Sequence, residues 1–246
     1  MEEEGVDKLF FELASESRLD ILNELENKKL KMQEIARLTK MTTTETFRQL
    51  NRLSDSLLIE KQSSGSYAIT SYGKLVLELS HSFEFANRNR RYLMTRDLSR
   101  IPSQFINRFG ELSKAVISTD IVDMMNKSGQ GLAEAEKYIW VITGQPSDSL
   151  GTIINERVSK GVSLRVIFPE NLAHLFEHVP EIKNVSEKRS LPEIPGFMIC
   201  TEKGAGINLL SIDGRPDYML LYGRDSALAR WAGDLFSYYW EKGKHF

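Results

Sequence analysis

The most constraining part of this chain is its first third, where the hydrophobic period switches from helical to extended and every switch carries a recognisable stop signal. Val6, Leu9, Phe10 and Leu13, then Leu19, Ile21, Leu22 and Leu25, recur at helical spacing. Ser15, ahead of Glu16 and Arg18, breaks the run as a serine N-cap does, which predicts two helices over 5–14 and 16–27. Asn27-Lys28-Lys29 turns the chain, and Ile35, Ala36 and Leu38 predict a third helix over 32–39. Lys40-Met41 leaves room for only a tight connection. Thr42, with Glu45 three residues on, has the form of a capping box and predicts a helix over 43–55 with Thr46, Leu50, Leu53 and then Leu57 inward. The period then becomes extended. Leu58–Gln62 and Tyr67–Thr70 are β-prone runs around Ser63-Ser64-Gly65-Ser66, a hairpin pattern. A helix from Ser71 through Ser82 follows, with Leu75, Val76 and Leu79 inward.

Three helices, a capped fourth and a hairpin in this order predict a winged helix-turn-helix, in which the 43–55 helix enters a DNA major groove. With Thr46, Leu50 and Leu53 inward, Thr43, Thr44, Phe47, Arg48 and Asn51 turn outward. Thr43 and Thr44 sit at the helix start, where hydroxyls and open N–H groups suit phosphates or base edges. Arg48 has the planar fork that bonds guanine bidentately. Phe47 suits either a thymine methyl or packing under the wing. Lys61, Ser64 and Tyr67 on the hairpin suit phosphate or minor-groove contact. The net charge is −2, yet residues 31–74 carry seven basic against four acidic side chains and residues 81–117 seven against three. Such local excess lets an acidic protein bind DNA, although solvated helix faces carry the same pattern.

Leu9-Phe10, then Leu13-Ala14-Ser15-Glu16-Ser17-Arg18-Leu19-Asp20-Ile21-Leu22, resembles the opening of ArsR-type regulators. Met32-Gln33-Glu34-Ile35-Ala36 resembles that family's positioning helix, and Leu50 and Leu53 its apolar recognition-helix positions. The resemblance implies DNA binding. The cysteine clusters of the family's metal sensors are missing, so no metal is expected.

Residues 81–98 read as a helix with Arg88, Arg90, Arg91 and Arg96 and an apolar side of Phe83, Phe85, Leu93, Met94 and Leu98. Two readings stand: arginines on the DNA backbone, or a linker helix that pairs with a second subunit, since winged-helix regulators read two half-sites as dimers. Pro102 predicts a new helix start. The string Arg96–Pro102, with Phe105-Ile106-Asn107-Arg108-Phe109-Gly110-Glu111-Leu112, and the closing run Trp231–Trp240, resemble archaeal ArsR-like regulators with a methanogenesis-regulatory domain. That resemblance covers nearly the whole chain and implies a regulator with a sensory half.

In that half, strand 138–143, helix 147–160 and strand 162–168 predict a parallel pair, followed by β-prone runs at 196–201, 206–212 and 217–222 and a helix over 225–242. The stripe Leu228, Trp231, Leu235 and Tyr239 predicts sheet packing or a subunit contact. Lys160-Gly161-Val162 before the second strand resembles the phospholipase D-like fold of sugar-responsive archaeal regulators, but the His-x-Lys pattern of its hydrolases is missing. Thr143, Gln145 and Ser147, beyond a parallel strand and beside a helix start, form a candidate effector site; ordinary loop and cap chemistry explains them as well or slightly better.

Three enzyme patterns fail on context. His174-Leu175-Phe176-Glu177-His178 matches an inverted zinc-peptidase motif, but Pro169 and Pro180 bound a short helix. Gly129-Gln130-Gly131 lacks a preceding strand. Cys200, the single cysteine, sits in a β-prone run and excludes an internal disulfide. No apolar run spans a membrane and the acidic start Met1–Glu4 is no signal peptide, so a cytoplasmic protein is expected.

The sequence therefore predicts two domains: a winged helix at 1–80 and, after linker and dimerisation helices at 81–117, an α/β effector domain with a mixed sheet at 118–246. The expected function is a dimeric, sequence-specific transcriptional regulator that binds double-stranded DNA and senses a small molecule or partner, with no cofactor, no metal, no membrane and no catalysis. The alternative is a hydrolase-like enzyme whose winged helix serves protein contact.

Overall fold

The computed structural model describes residues 5–177, 187–214 and 217–245. The chain divides into two units, Met1–His81 and Ser82–Phe246.

In the first unit, α1 (Val6–Leu13) and α2 (Glu16–Leu25) are separated at Ser15, which sits at the N-cap position with extended backbone but caps α2 through its carbonyl and not, as expected, through its hydroxyl. β1 (Leu30–Lys31) leads into α3 (Met32–Leu38), α4 (Thr43–Asp55), β2 (Ile59–Lys61) and β3 (Ser66–Ile69), and α5 (Ser71–Arg88) begins here. The strands form an antiparallel sheet in the order β1-β3-β2. Gly65, at φ 81°, supplies the left-handed residue of the β2–β3 turn. Ile21, Leu22, Leu25, Ile35, Leu50, Leu53, Leu58 and Leu77 fill the core beneath it.

The ends of α3 and α4 share one device. Lys40 and Leu57 adopt left-handed backbone at φ 56° and 59°. Met41 N–H then reaches back to Ala36 O at 3.0 Å, and Leu58 N–H to Leu53 O at 2.9 Å. Both are Schellman closures, which satisfy orphan carbonyls at the cost of a left-handed residue. This corrects the inward stripe. Because α4 stops at Asp55 and the chain reverses its twist, Leu57 is 69 % exposed and Leu58 takes the buried place. Leu75 and Leu79 are likewise exposed, at 58 % and 54 %, while Val76, Leu77 and Ser80 face inward. The inward face of α5 is thus set by Val76, Leu77 and Ser80, and only Val76 of the expected three belongs to it.

In the second unit, α5 ends at Arg88 and is followed by α6 (Arg90–Leu93) and α7 (Ser103–Ile106) and a 3-10 turn at Phe109–Leu112. Pro102 does precede a helix start, but a helix of one turn. Then come β4 (Val116–Ser118), α8 (Ile121–Ala133), β5 (Tyr138–Ile142), α9 (Asp148–Ser159), β6 (Ser163–Pro169), α10 (Ala173–Glu177), β7 (Glu187–Leu191), β8 (Gly196–Thr201), β9 (Gly204–Leu209), β10 (Leu220–Gly223), α11 (Ser226–Lys242) and β11 (Lys244–His245). Among the described residues the strands form one mixed sheet, β11-β7-β6-β5-β8-β9-β10-β4. β5, β6 and β7 run parallel and the other neighbours antiparallel. Gly196, at φ 139°, admits no side chain, since a Cβ there would lie 2.2 Å from Asn208 O across the β8–β9 pair.

The two segments that carried the whole-chain resemblance pack on each other. Trp231 Nε1 donates to Phe105 O at 3.0 Å, and its ring meets Phe105 edge-on at 5.9 Å. Arg108 bonds Asp234 at 2.7 Å, Arg230 bonds Glu111 at 3.2 Å, and Tyr239 Oη donates to Arg100 O. Trp231 and Leu235 are 1 % exposed, and Trp140 of β5 stacks on Phe236 at 5.0 Å. The aromatic stripe of α11 is spent on this core. Phe85, Tyr92, Ile101, Phe105, Phe109 and Leu112 are spent there too, so residues 82–115 pack as part of the second unit. No helix among the described residues is long and apolar enough to cross a membrane.

Candidate nucleic-acid interface and effector recess

Thr42 caps α4, its Oγ1 accepting from Glu45 N–H at 3.2 Å while Thr42 O accepts from Thr46 N–H at 2.9 Å. A helix start of this kind leaves the Thr43 and Thr44 N–H groups directed out of the first turn, with the positive end of the helix dipole behind them. The reciprocal half of the capping box is replaced. The Glu45 carboxylate accepts from Arg48 instead, at 3.1 Å from Nε and 2.8 Å from Nη2, and from Gln49 Nε2. Hydrogen bonds from Arg48 and then Gln49 hold the Glu45 carboxyl below its usual range.

Thr43, Thr44, Phe47, Arg48 and Asn51 are all exposed on one side of α4, opposite buried Thr46, Leu50 and Leu53. Lys61 and Ser64 are exposed on the hairpin, with Ser64 Oγ 2.8 Å from Ser66 Oγ. Phe47, 52 % exposed, borders a recess of about 370 Å³ with Lys31, Met32, Gln33, Lys61, Gly65 and Tyr67. It stands at the recess rather than buried beneath the hairpin. Tyr67 corrects the expectation. It is 5 % exposed and joins the first unit's core, because alternation along β3 turns its ring inward, with Lys61 Nζ 5.9 Å above it.

Sequence reasoning missed two buried polar residues behind this face. Arg18 and Gln49 are 5 % and 4 % exposed. Arg18 donates to Glu12 O at 2.7 Å, Phe11 O at 2.8 Å and Gln49 Oε1 at 3.0 Å. Burial lowers the Arg18 pKa, against the pull of Glu12. The available signal was its position, one turn before Ile21 and Leu22 on the inward stripe of α2. Arg96 bears on the two readings of the middle-segment arginines. It is 4 % exposed, paired with Asp217 at 2.5 Å and stacked over Tyr92 at 4.4 Å, so it offers nothing to a DNA backbone.

In the second unit, Thr143, Gln145 and Ser147 do come together. They line the mouth of a recess whose walls are Val141, Leu150, Ile154, Val166, Phe176 and Ile199. About 60 Å³ of it is open to the centre of a water molecule. The two hydroxyls at the mouth are already engaged: Thr143 Oγ1 donates to Gln145 O at 2.8 Å, and Ser147 Oγ accepts from Leu150 N–H at 3.5 Å as the cap of α9. Both the ligand reading and the cap reading of these residues persist in this geometry. His174 is exposed on five-residue α10, and its sequence partner His178 lies outside the described residues. Cys200 is fully buried and burial pushes its thiol up to about 12.

No protein-family model matches the chain, and no curated protein does. None of the three resemblances read from the sequence is therefore matched by a family model. Among solved structures the chain is similar to TrmBL2, an archaeal chromatin protein whose structure shows a novel mode of DNA binding, at TM-score 0.47 and 17 % identity over 98 % of this chain and 97 % of that one. It is also similar to NucT from Helicobacter pylori, at TM-score 0.43 and 14 % identity over 54 % and 99 %. Nuc from Salmonella typhimurium, a phospholipase D family member, matches at 0.41 and 10 % over 54 % and 96 %. At these TM-scores the likenesses establish neither fold family nor function.

Proposed function

We propose that this protein is a sequence-specific DNA-binding transcriptional regulator whose first unit is a winged helix-turn-helix. The observation that carries the reading is the outward face of α4: Thr43, Thr44, Phe47, Arg48 and Asn51 exposed together on a capped helix, beside exposed Lys61 and Ser64 on the hairpin. In the bound state α4 lies in the major groove, the open N–H groups of its first turn meet phosphate, and Arg48 reads a base edge. The 43–55 helix is a reader of one half-site, so the working form is a homodimer. Tyr72, Leu75 and Leu79 support this, being 44 %, 58 % and 54 % exposed at helical spacing on α5. The second copy covers this stripe; of the 81–98 surface expected from sequence, Phe83 and Met94 are also exposed, at 63 % and 77 %, while Phe85 is buried.

The second unit serves as an effector domain in this reading. The recess at Thr143, Gln145 and Ser147 is its candidate ligand site, and a ligand there acts by preferring one state of the protein. The reading is non-enzymatic: the one thiol is buried and protonated, and no group of three His, Cys, Asp or Glu that could hold a metal forms among the described residues. The test is fluorescence anisotropy of the full chain on duplexes selected from a random pool, across a salt series. A regulator gives selective binding whose affinity falls linearly on a log–log plot against salt, since phosphate contacts release counterions. Failure to enrich any sequence, or binding indifferent to salt, overturns the proposal.

A further inference from the structure

The chain of hydrogen bonds that ends at Arg48 begins in the core. Buried Arg18 donates from Nη1 to Gln49 Oε1 at 3.0 Å, which fixes the acceptor end of that amide. The donor end of Gln49 is thereby turned toward Glu45, and its Nε2 donates to Oε1 of that carboxylate. Glu45 in turn receives Arg48 through Nε and Nη2, at 3.1 and 2.8 Å. Arg18 is itself held by Glu12 O and Phe11 O, and Glu12 also binds Arg52. An isolated ion pair three residues apart on a helix surface contributes little and holds its arginine loosely. Here the carboxylate is anchored from behind by a residue that is 4 % exposed, while the arginine side chain stays 66 % exposed.

The geometry points to Glu45 as a specificity-determining residue of the α4 interface, one that buttresses Arg48 for guanine readout; this rests on the DNA-binding reading above. The reasoning concerns which edge of the guanidinium is left. Glu45 occupies Nε and one hydrogen of Nη2. The end-on edge, formed by Nη1 and the second Nη2 hydrogen, stays available, and it matches the O6 and N7 acceptors of guanine. A fork fixed before binding loses less rotamer freedom on contact, and its charge is already partly neutralised. A buttressed arginine therefore gives up general attraction to phosphate and gains discrimination between bases. An unbuttressed one binds any nearby phosphate.

The test is a double-mutant cycle with wild type, Glu45→Gln, Arg48→Ala and the double variant. Each is titrated against the selected duplex and against duplexes with each G·C pair of the half-site replaced in turn. The proposal expects Glu45→Gln to lose ~5- to 10-fold of the discrimination at one G·C pair, a part of the ~5- to 150-fold that a bidentate contact provides. Its affinity for unrelated duplex should be unchanged or higher, since an acidic group has left the interface. In the Arg48→Ala background the same change should have no effect on discrimination. Gln49→Leu, which cuts the anchor but keeps the Glu45 charge, should lose part of the discrimination without the gain on unrelated duplex. A purely structural role for Glu45 would weaken binding to all duplexes alike. That result, unchanged discrimination in Glu45→Gln, or an equal loss with Arg48 absent, overturns the proposal while leaving DNA binding intact. If wild type selects no sequence at all, the DNA-binding reading itself falls, and the buttress with it.

Discussion

Gly73 sits in the first turn of α5, where helix propensity and packing make opposite predictions for Gly73→Ala. Propensity favours alanine by about 0.5–1 kcal/mol. Packing opposes it: a Cβ at residue 73 would lie 2.0 Å from Leu58 O and 2.8 Å from Ile69 Cγ1. That carbonyl is not free to retreat. It accepts from Thr70 N–H at 3.0 Å and from Thr70 Oγ1 at 3.2 Å, the contacts that tie the start of α5 to the end of the α4 closure. Restoring an ordinary carbon–oxygen contact means a displacement of about 1 Å and the loss of about one of these bonds, at about 1 kcal/mol, on top of about 1–3 kcal/mol for overpacking. The net expectation is a loss of about 2 kcal/mol. Gly131, inside α8, is the control: a Cβ there meets nothing within 4 Å, so Gly131→Ala should gain about 0.5–1 kcal/mol from propensity alone. Urea titration followed by far-ultraviolet circular dichroism and by tryptophan fluorescence separates the two effects. Trp140, Trp231 and Trp240 all lie in the second unit, so fluorescence follows that unit and dichroism follows both. A midpoint for Gly73→Ala equal to or above wild type would refute the packing argument.

Two further outcomes follow from buried polar groups in the second unit. Burial pushes the Asp217 carboxyl up, but hydrogen bonds from Arg96, Met219 N–H and Asn208 outweigh it and hold it below the usual range. Its stabilisation is therefore complete above the unfolded value of about 3.9 and is lost as pH falls through the lower folded value. Asp217→Ala leaves the 2 %-exposed Arg96 side chain without its carboxylate and should cost about 3 kcal/mol near neutral pH, the lower end of the range for a broken buried pair, because Asp217 is itself 30 % exposed. The gap to wild type in denaturant titrations should narrow as pH falls below the unfolded value of about 3.9; a gap independent of pH would contradict the assignment. Cys200, with its thiol at about 12 and Sγ directed to Ala229 O at 3.5 Å, should react with a thiol reagent only as fast as the second unit opens. Rapid labelling of the folded protein at pH 8 would contradict that burial.

Legibility of the fold followed the locality of its causes. The start of α4 was readable because Thr42 acts on its own turn, and the hairpin was readable because Gly65 supplies a conformation few residues adopt; α2 starts after Ser15 as expected, but without a bond from the serine hydroxyl. The parallel β5–β6 pair followed from strand, helix and strand in sequence. Leu57 was misread because a left-handed residue ends the helical period abruptly, and nothing in the residue type announces it. Leu75 and Leu79 were misread because an apolar stripe has the same pattern whether it meets its own core or stays exposed. Tyr67 was misread because its side of the strand depends on the register of β3 against β1 and β2. The exposed face of α4 was legible from helical spacing. The relay Arg18–Gln49–Glu45–Arg48 was not, since it joins α2 to α4 across a separation of 31 residues.

Sequence reading by the outward face of α4 through Arg48 is tested most directly by a binding comparison of wild type and Arg48→Ala. Both proteins are titrated with the selected duplex and with a scrambled duplex of equal composition, at several salt concentrations. Wild type should prefer the selected duplex and Arg48→Ala should lose about 1–3 kcal/mol of that preference, the share of one bidentate base contact, while its binding to scrambled duplex changes little. Equal preference in the two proteins would contradict the account.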